Sequence, residues 1–216
     1  MINRNRLFSR GGRIPYLITG SLVLPVMATW LVFVRRDPGP DQQVFQWVEP
    51  MHHTSVTAFM KAISFLGNHR FLIPANLLLI FFLIWRGNKH LAARITLVAL
   101  SSLALMSALK NLFRRNRPED ALVPGITNFS FPSGHALMSV VFFGSLIWLA
   151  YRSPQPNGWR MPFMLGCLVM VLLIGFSRIY LRVHYASDVV AGLGFGSAWL
   201  ACCLLITRRQ STRQGL

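Results

Sequence analysis

Acidic residues are scarce in this chain. Asp and Glu together number 6 in 216 residues, and charged residues of both signs make up 13%. An ordinary soluble domain is about 25% charged. The shortfall argues against a water-exposed surface of the usual kind, and the composition fits neither disorder, collagen nor a long coiled coil. Cysteine is thin as well. Cys167, Cys202 and Cys203 all fall in apolar stretches, and no paired spacing suggests a disulfide framework or a zinc site. They read as small hydrophobes. No internal repeat is strong enough to suggest an inverted-repeat transporter.

What the chain has instead is apolar length. Hydrophobic residues make up 53% of it, and the mean hydropathy is +0.47. Residues 14–34, 71–85, 95–109, 121–151, 161–177 and 189–207 carry no Asp, Glu, Lys or Arg. A bilayer span takes about 20 mainly apolar residues. Completed by flanking residues, these stretches predict an all-α, six-span transmembrane helical bundle. The spans are expected near 14–34, 69–86, 92–110, 133–151, 160–177 and 186–206, in a single integral-membrane domain over 1–216. Residues 43–66 mix apolar and polar types, which predicts one or two short amphipathic helices lying at the interface in the first extracytoplasmic loop. The first apolar run is long for a signal peptide and no small-residue cleavage site follows Val34, so it is expected to be a retained span.

The net charge of +16 does not indicate nucleic acid, because the basic residues lie between apolar segments instead of on one soluble face. The expected partner is the phospholipid bilayer, with its anionic headgroups. Segments 1–13, 86–94, 151–160 and 207–216 together hold twelve basic residues and no acid; the remaining ten basic residues and all six acids fall on the other side. The positive-inside bias therefore places both termini in the cytoplasm of a multi-pass plasma-membrane protein.

Three polar clusters interrupt the apolar pattern. In the first, Lys110 and Arg117 are seven residues apart, which would put them on one helical face, and Pro118 would end or bend that helix. Taken alone this is a basic span end meeting headgroups. On the extracytoplasmic side, however, four cations (Lys110, Arg114, Arg115 and Arg117) suggest a specific anion. In the second cluster, Pro132-Ser133-Gly134-His135 precedes a long apolar helix. Ser133 is a plausible N-cap, and free amides at a helix start attract anions. His135 stands at that mouth, although a lone histidine there is ordinarily a cap or surface residue. The third cluster is Ser177-Arg178 followed by His184 and Asp188. The last two are four apart and can meet on one helical face. An aspartate holding one imidazole nitrogen leaves the other ready to attack or to take a proton. Asp188 also reads simply as an acid in a helix's first turn.

The span layout brings all three clusters to one membrane face. Two histidines, a carboxylate and several cations suit phosphoryl transfer. Cations hold the nonbridging oxygens, one histidine attacks phosphorus and the other protonates the leaving group. No metal and no other cofactor is expected, since the cations would repel a divalent ion and Asp188 is already engaged.

These stretches resemble the signature of the type 2 phosphatidic acid phosphatase superfamily, which reads Lys-x6-Arg-Pro, Pro-Ser-Gly-His and Ser-Arg-x5-His-x3-Asp. Every fixed position is matched, from Lys110 to Asp188. The resemblance implies that Lys110, Arg117 and Arg178 bind the phosphate, and that Ser133 and the Gly134 amide add hydrogen bonds. It makes His135 the general acid, His184 the nucleophile and Asp188 its orienting partner. Soluble haloperoxidases share the signature and use it to hold vanadate, but the apolar segments here argue against that branch. The short basic termini resemble bacterial members. The implied reaction is metal-independent hydrolysis of a lipid phosphate through a phosphohistidine, with undecaprenyl pyrophosphate the favoured substrate. Phosphatidylglycerophosphate, phosphatidate and lipid A phosphates are alternatives, as are a lipid phosphotransferase and, in another class, a transporter.

Several residues stay outside this reading. Gly192, Gly194 and Gly196 are expected to allow close helix contact. His52, His53, His69, Arg70 and His90 are expected at the surface or interface. For Arg114, Arg115 and Arg182 two roles remain open: reading a second phosphate or sugar, or general headgroup attraction.

Overall fold

The computed structural model describes residues 13–153 and 157–213. Arg4, Arg6 and Arg10, on which part of the charge argument rests, lie outside the described residues, as do the side chains of Arg13, Arg208, Arg209 and Arg213. Every regular element described is helical. Helix α1 (Arg13–Thr29) runs on as a π-helical segment, Trp30–Arg35; α2 (Gly39–Val48) and α3 (Thr54–Phe65) follow, and then α4 (His69–Trp85). The second half holds α5 (Lys89–Phe113), α6 (Gly134–Arg152), α7 (Arg160–Tyr180) and α8 (Ala186–Arg213).

Four helices are long and apolar enough to cross a membrane: Lys89–Phe113, Gly134–Arg152, Arg160–Tyr180 and the Ala186–Ile206 part of α8. Helices α3 and α4 meet the same test only together, bent by 42°, and Thr19–Arg35 is a shorter apolar helix. The architecture is thus an all-α, multi-pass membrane bundle with four to five apolar spans. Its outside is what lipid requires: Leu78, Phe81, Trp85, Leu112 and Met161 are all more than 60% exposed. In water such a surface would be an association site.

The bundle is built around α6, which packs on both α7 and α8, while α1 lies along α8. Glycines make these contacts possible, as the sequence suggested. A Cβ on Gly194 would stand 2.3 Å from Pro25 Cδ, and one on Gly196 would stand 2.8 Å from the Leu137 carbonyl oxygen. Near the polar end, Phe33, Phe113 and Phe131 pack ring to ring at centroid distances of 4.8, 4.9 and 5.2 Å. That cluster ties the end of the first apolar segment and the end of α5 to the residue just before Pro132. At the same end Tyr180 is fixed by its hydroxyl to the Met51 carbonyl and Thr57, and by its own carbonyl to His52 Nε2, each at 3.0 Å.

Candidate active site

Helix α5 does not continue through the first cluster. It stops at Phe113, where Arg114 takes a left-handed conformation (φ 45°) and its amide bonds back to the Lys110 carbonyl. Lys110 therefore sits in the last turn and Arg117 in the irregular segment beyond it, so the expectation of one shared helical face was wrong. Pro118 lies after the stop and is not its cause. The positions still converge, because that segment folds back. Arg117 Nε donates to the Asn128 carbonyl at 2.7 Å and Nη2 to Asn128 Oδ1 at 2.5 Å, while Lys110 Nζ donates to the Phe129 carbonyl.

Ser133 is the N-cap of α6, its hydroxyl accepting from the Ala136 amide, and its own amide donates to the Asp188 carbonyl at 2.9 Å. The starts of α6 and α8 are thereby joined. Gly134 lets the end of α5 approach: a Cβ there would lie 2.7 Å from Met106 Sδ and 3.7 Å from Lys110 Cε. His135 occupies the first turn, partly buried, within electrostatic reach of Arg178, His184 and Arg117. A Cβ on Gly67 would lie 3.2 Å from His135 Cδ2 and 2.5 Å from Ile174 Cγ2, so the α3–α4 bend closes tightly over this histidine.

In the third cluster α7 ends at Tyr180 and α8 begins at Ala186, which leaves His184 in the connection. The pair does not meet along a helix face, as the spacing suggested; a tight return brings it together. Arg182 is left-handed (φ 52°), and the amides of Val183 and His184 both donate to the Arg178 carbonyl. His184 Nδ1 comes within 3.5 Å of Asp188 Oδ2, long for a hydrogen bond. Ser130 stands between them, its Oγ 3.2 Å from His184 Nδ1 and donating to Asp188 Oδ2. On the other side of the ring, His184 Nε2 is 3.3 Å from Arg117 Nη1. A guanidinium can only donate, so this geometry assigns the lone pair to Nε2 and the proton to Nδ1. His184 is 1% exposed. Burial, with Arg117 nearby, pulls its pKa from 6.5 down to about 3 against the opposing influence of Asp188.

Asp188 is fully engaged. Oδ1 accepts from Arg115 Nη1 at 2.6 Å, and Oδ2 accepts from the Tyr185 amide at 3.0 Å as well as from Ser130. Its reading as a first-turn acid and its contact with His184 thus hold together. Arg178 is 5% exposed; its Nη1 donates to Ser64 Oγ, and its Nε is buried with no partner. A buried donor without an acceptor is costly, and an anion oxygen is the natural acceptor. Lys110, Arg117 and Arg178 lie near enough to repel one another. Burial lowers the pKa of Arg117, with Asp188 opposing.

Arg115 departs from the sequence reading. It grips two carboxylates, Asp188 and Asp41, and stacks 4.0 Å over the Tyr185 ring. Burial works against its charge, but the two acids more than offset that and raise its pKa. It is therefore not a free cation awaiting a substrate anion. Arg182 lies 3.6 Å from both Glu49 and Asp120, and exposed Arg114 bonds the Asn111 carbonyl. Sequence reasoning missed Asp41, Ser64, Gly67, Asn128, Ser130 and Ser187. Asp41 alone had a signal: in a chain with so few acids, one at a helix start calls for a partner. Among the described residues no group of three or more His, Cys, Asp or Glu could hold a metal ion.

With this geometry in hand, comparison with known proteins is informative. The family model described as PAP2 superfamily matches residues 91–212. The chain is 30% identical over 143 residues to phosphatidylglycerophosphatase B of Bacillus subtilis, covering 63% of this chain and 68% of that protein. It is 27% identical over 169 residues to undecaprenyl-diphosphatase of Sulfolobus acidocaldarius, covering 76% of each. A crystal structure described as the first transmembrane PAP2 type phosphatidylglycerolphosphate phosphatase, from Bacillus subtilis, matches with a TM-score of 0.81 over 90% of this chain and 97% of that one. At 21% identity that likeness speaks for the fold.

Proposed function

This chain belongs to the PAP2 superfamily and is a membrane lipid-phosphate hydrolase, and from that premise we propose that it cleaves undecaprenyl pyrophosphate to undecaprenyl phosphate at the extracytoplasmic face of a bacterial plasma membrane. In this reading residues 1–216 form one six-span domain with both termini cytoplasmic. The short helices α2 and α3 lie at the outer interface.

The observation that carries the mechanism is the orientation of His184, with Nε2 unprotonated beside Arg117 and Nδ1 turned to Ser130 and Asp188. Lys110, Arg117 and Arg178 take the nonbridging oxygens, the Arg178 Nε gaining the acceptor it lacks, and Ser133 and the Gly134 amide complete the cradle. These fixed donors meet the charge that grows in the transition state. His184 Nε2 attacks the terminal phosphorus as the bond to the bridging oxygen breaks, and His135 gives that oxygen a proton. Water then attacks the phosphohistidine, loses its proton to His135 and releases inorganic phosphate. Asp188, with Ser130 between it and Nδ1, orients the ring and faces the positive charge it acquires. Three cations do the electrostatic work a divalent ion would do, so the reaction is proposed to need no metal.

The 27% identity to an undecaprenyl-diphosphatase over 76% of both chains supports the substrate. The identity to a phosphatidylglycerophosphatase supports a second reading, with phosphatidylglycerophosphate as substrate. Phosphate release by purified protein in detergent, with each lipid in turn and His184→Ala as control, tests both. We expect higher kcat/KM on undecaprenyl pyrophosphate and none in the control. Release from phosphatidylglycerophosphate alone would select the second reading.

A further inference from the structure

Asp41 is one of few acids in the chain, lies outside the segment that the family model matches, and is 4% exposed. It sits in the first turn of α2 and reaches the rear of the site. Its Oδ1 accepts from the Ser187 amide at 2.9 Å, and its Oδ2 from Ser187 Oγ at 2.7 Å and Arg115 Nη2 at 2.9 Å. The other end of the same guanidinium holds Asp188 at 2.6 Å.

The charges in this chain matter to His184. Arg115 by itself would neutralise Asp188, leaving little negative charge for an imidazole that becomes positive when Nε2 bonds to phosphorus. With Asp41 the three groups Asp41, Arg115 and Asp188 sum to one negative charge. We infer that Asp41 and Arg115 are positioning residues that set the charge and orientation of Asp188, and through it the nucleophilicity of His184. The inference rests on the proposed role of His184. Two features of the geometry favour it over a purely structural anchor. Asp41 caps the start of α8 through the Ser187 amide and hydroxyl, yet its Oδ2 is shared between that hydroxyl and Arg115 Nη2. And Arg115 uses separate nitrogens for the two acids, a bridge that only a planar fork makes.

The test is a charge cycle on the full-length protein in detergent, using the variants Asp41→Asn, Arg115→Gln and the two combined. Asparagine can keep the cap to Ser187 but removes the charge. The double variant restores the single negative charge that Asp41→Asn lacks. We expect Asp41→Asn to lower kcat about tenfold, the scale of one charge acting across roughly 12 Å of protein at an effective dielectric of about 20. KM should stay within about threefold. Inhibition by vanadate, which takes the histidine nitrogen as a ligand, should weaken about tenfold in parallel with kcat. The double variant should be more active than either single one; a buried ion pair is non-additive in any role, so the parallel loss of kcat and vanadate inhibition at nearly constant KM is what separates positioning from anchoring. Arg115→Lys, which keeps the charge but not the fork, should fall between wild type and Arg115→Gln. Wild-type kcat and vanadate inhibition in Asp41→Asn, or a double variant showing the product of the single losses, would overturn the inference. If Asp41→Asn does not accumulate, the same readouts compared between Arg115→Gln and the double variant decide. Activity in His184→Ala would instead overturn the reading on which this rests, so the two failures are distinguishable.

Discussion

Replacing Gly192 by alanine would strike the joint between the two halves of the site. A Cβ at this position would stand 2.6 Å from the Ser133 carbonyl oxygen, 3.1 Å from Ala136 Cβ and 3.3 Å from the Leu137 amide nitrogen. Carbon–oxygen contacts need about 3.5 Å, so roughly 0.9 Å must be found. The nearest obstacle is backbone and cannot rotate away. Helices α6 and α8 must separate, which stretches the bond from the Ser133 amide to the Asp188 carbonyl and shifts Ser133 and His135 away from His184 and Asp188. Overpacking of this kind costs about 1–3 kcal/mol. A displacement near 1 Å at the reacting groups costs about 10²-fold in rate. We therefore expect Gly192→Ala to fold with a Tm lowered by a few degrees and to lose about a hundredfold in kcat. Gly166→Ala is the control, since its Cβ would meet nothing within 4 Å. Phosphate release and thermal unfolding in detergent measure both effects. Full activity in Gly192→Ala would refute the claim that this close approach sets the site.

Further outcomes follow from the same geometry. Activity should survive excess EDTA after gel filtration; complete loss restored by magnesium alone would show that a metal is essential. Because burial holds the His184 pKa near 3, below the ordinary 6.5, its ring should stay neutral with the proton on Nδ1 from about pH 5 to 8 and begin to charge only as pH falls toward the lower value. Nitrogen NMR of histidine-labelled protein, assigned with His184→Gln, reads this directly, and a transition near pH 6.5 would contradict it. For sidedness, cysteines placed at exposed Glu119 and Thr127 in a background without the native cysteines should react with a membrane-impermeant maleimide in intact cells, and one at exposed Lys89 should not. The reverse pattern would put the site on the cytoplasmic leaflet.

The membrane fold and the signature residues were legible because each leaves a local mark. A long uncharged run predicts a span whatever it packs against, and Ser133 caps α6 as its place before an apolar helix suggested. Positions whose role depends on distant neighbours were not legible. Asp41 and Arg115 are 74 residues apart and pair only because α2 folds back over the site. Ser64 and Gly67 come into play through the α3–α4 bend, which no periodicity announces. Helical spacing was trusted too far in two motifs. It placed Lys110 with Arg117, and His184 with Asp188, on common helix faces. Left-handed residues at Arg114 and Arg182 end those helices early, and turns make the contacts instead.

The central claim is that His184 Nε2 forms a bond to phosphorus. Rapid alkaline quench of the wild-type enzyme turning over substrate labelled in the terminal phosphate should trap label on the protein. The adduct should be stable in base, lost in acid and mapped to His184, and it should be absent from an inactive His184→Ala. Turnover in His184→Ala at the wild-type rate, or label trapped on another residue, would contradict the account.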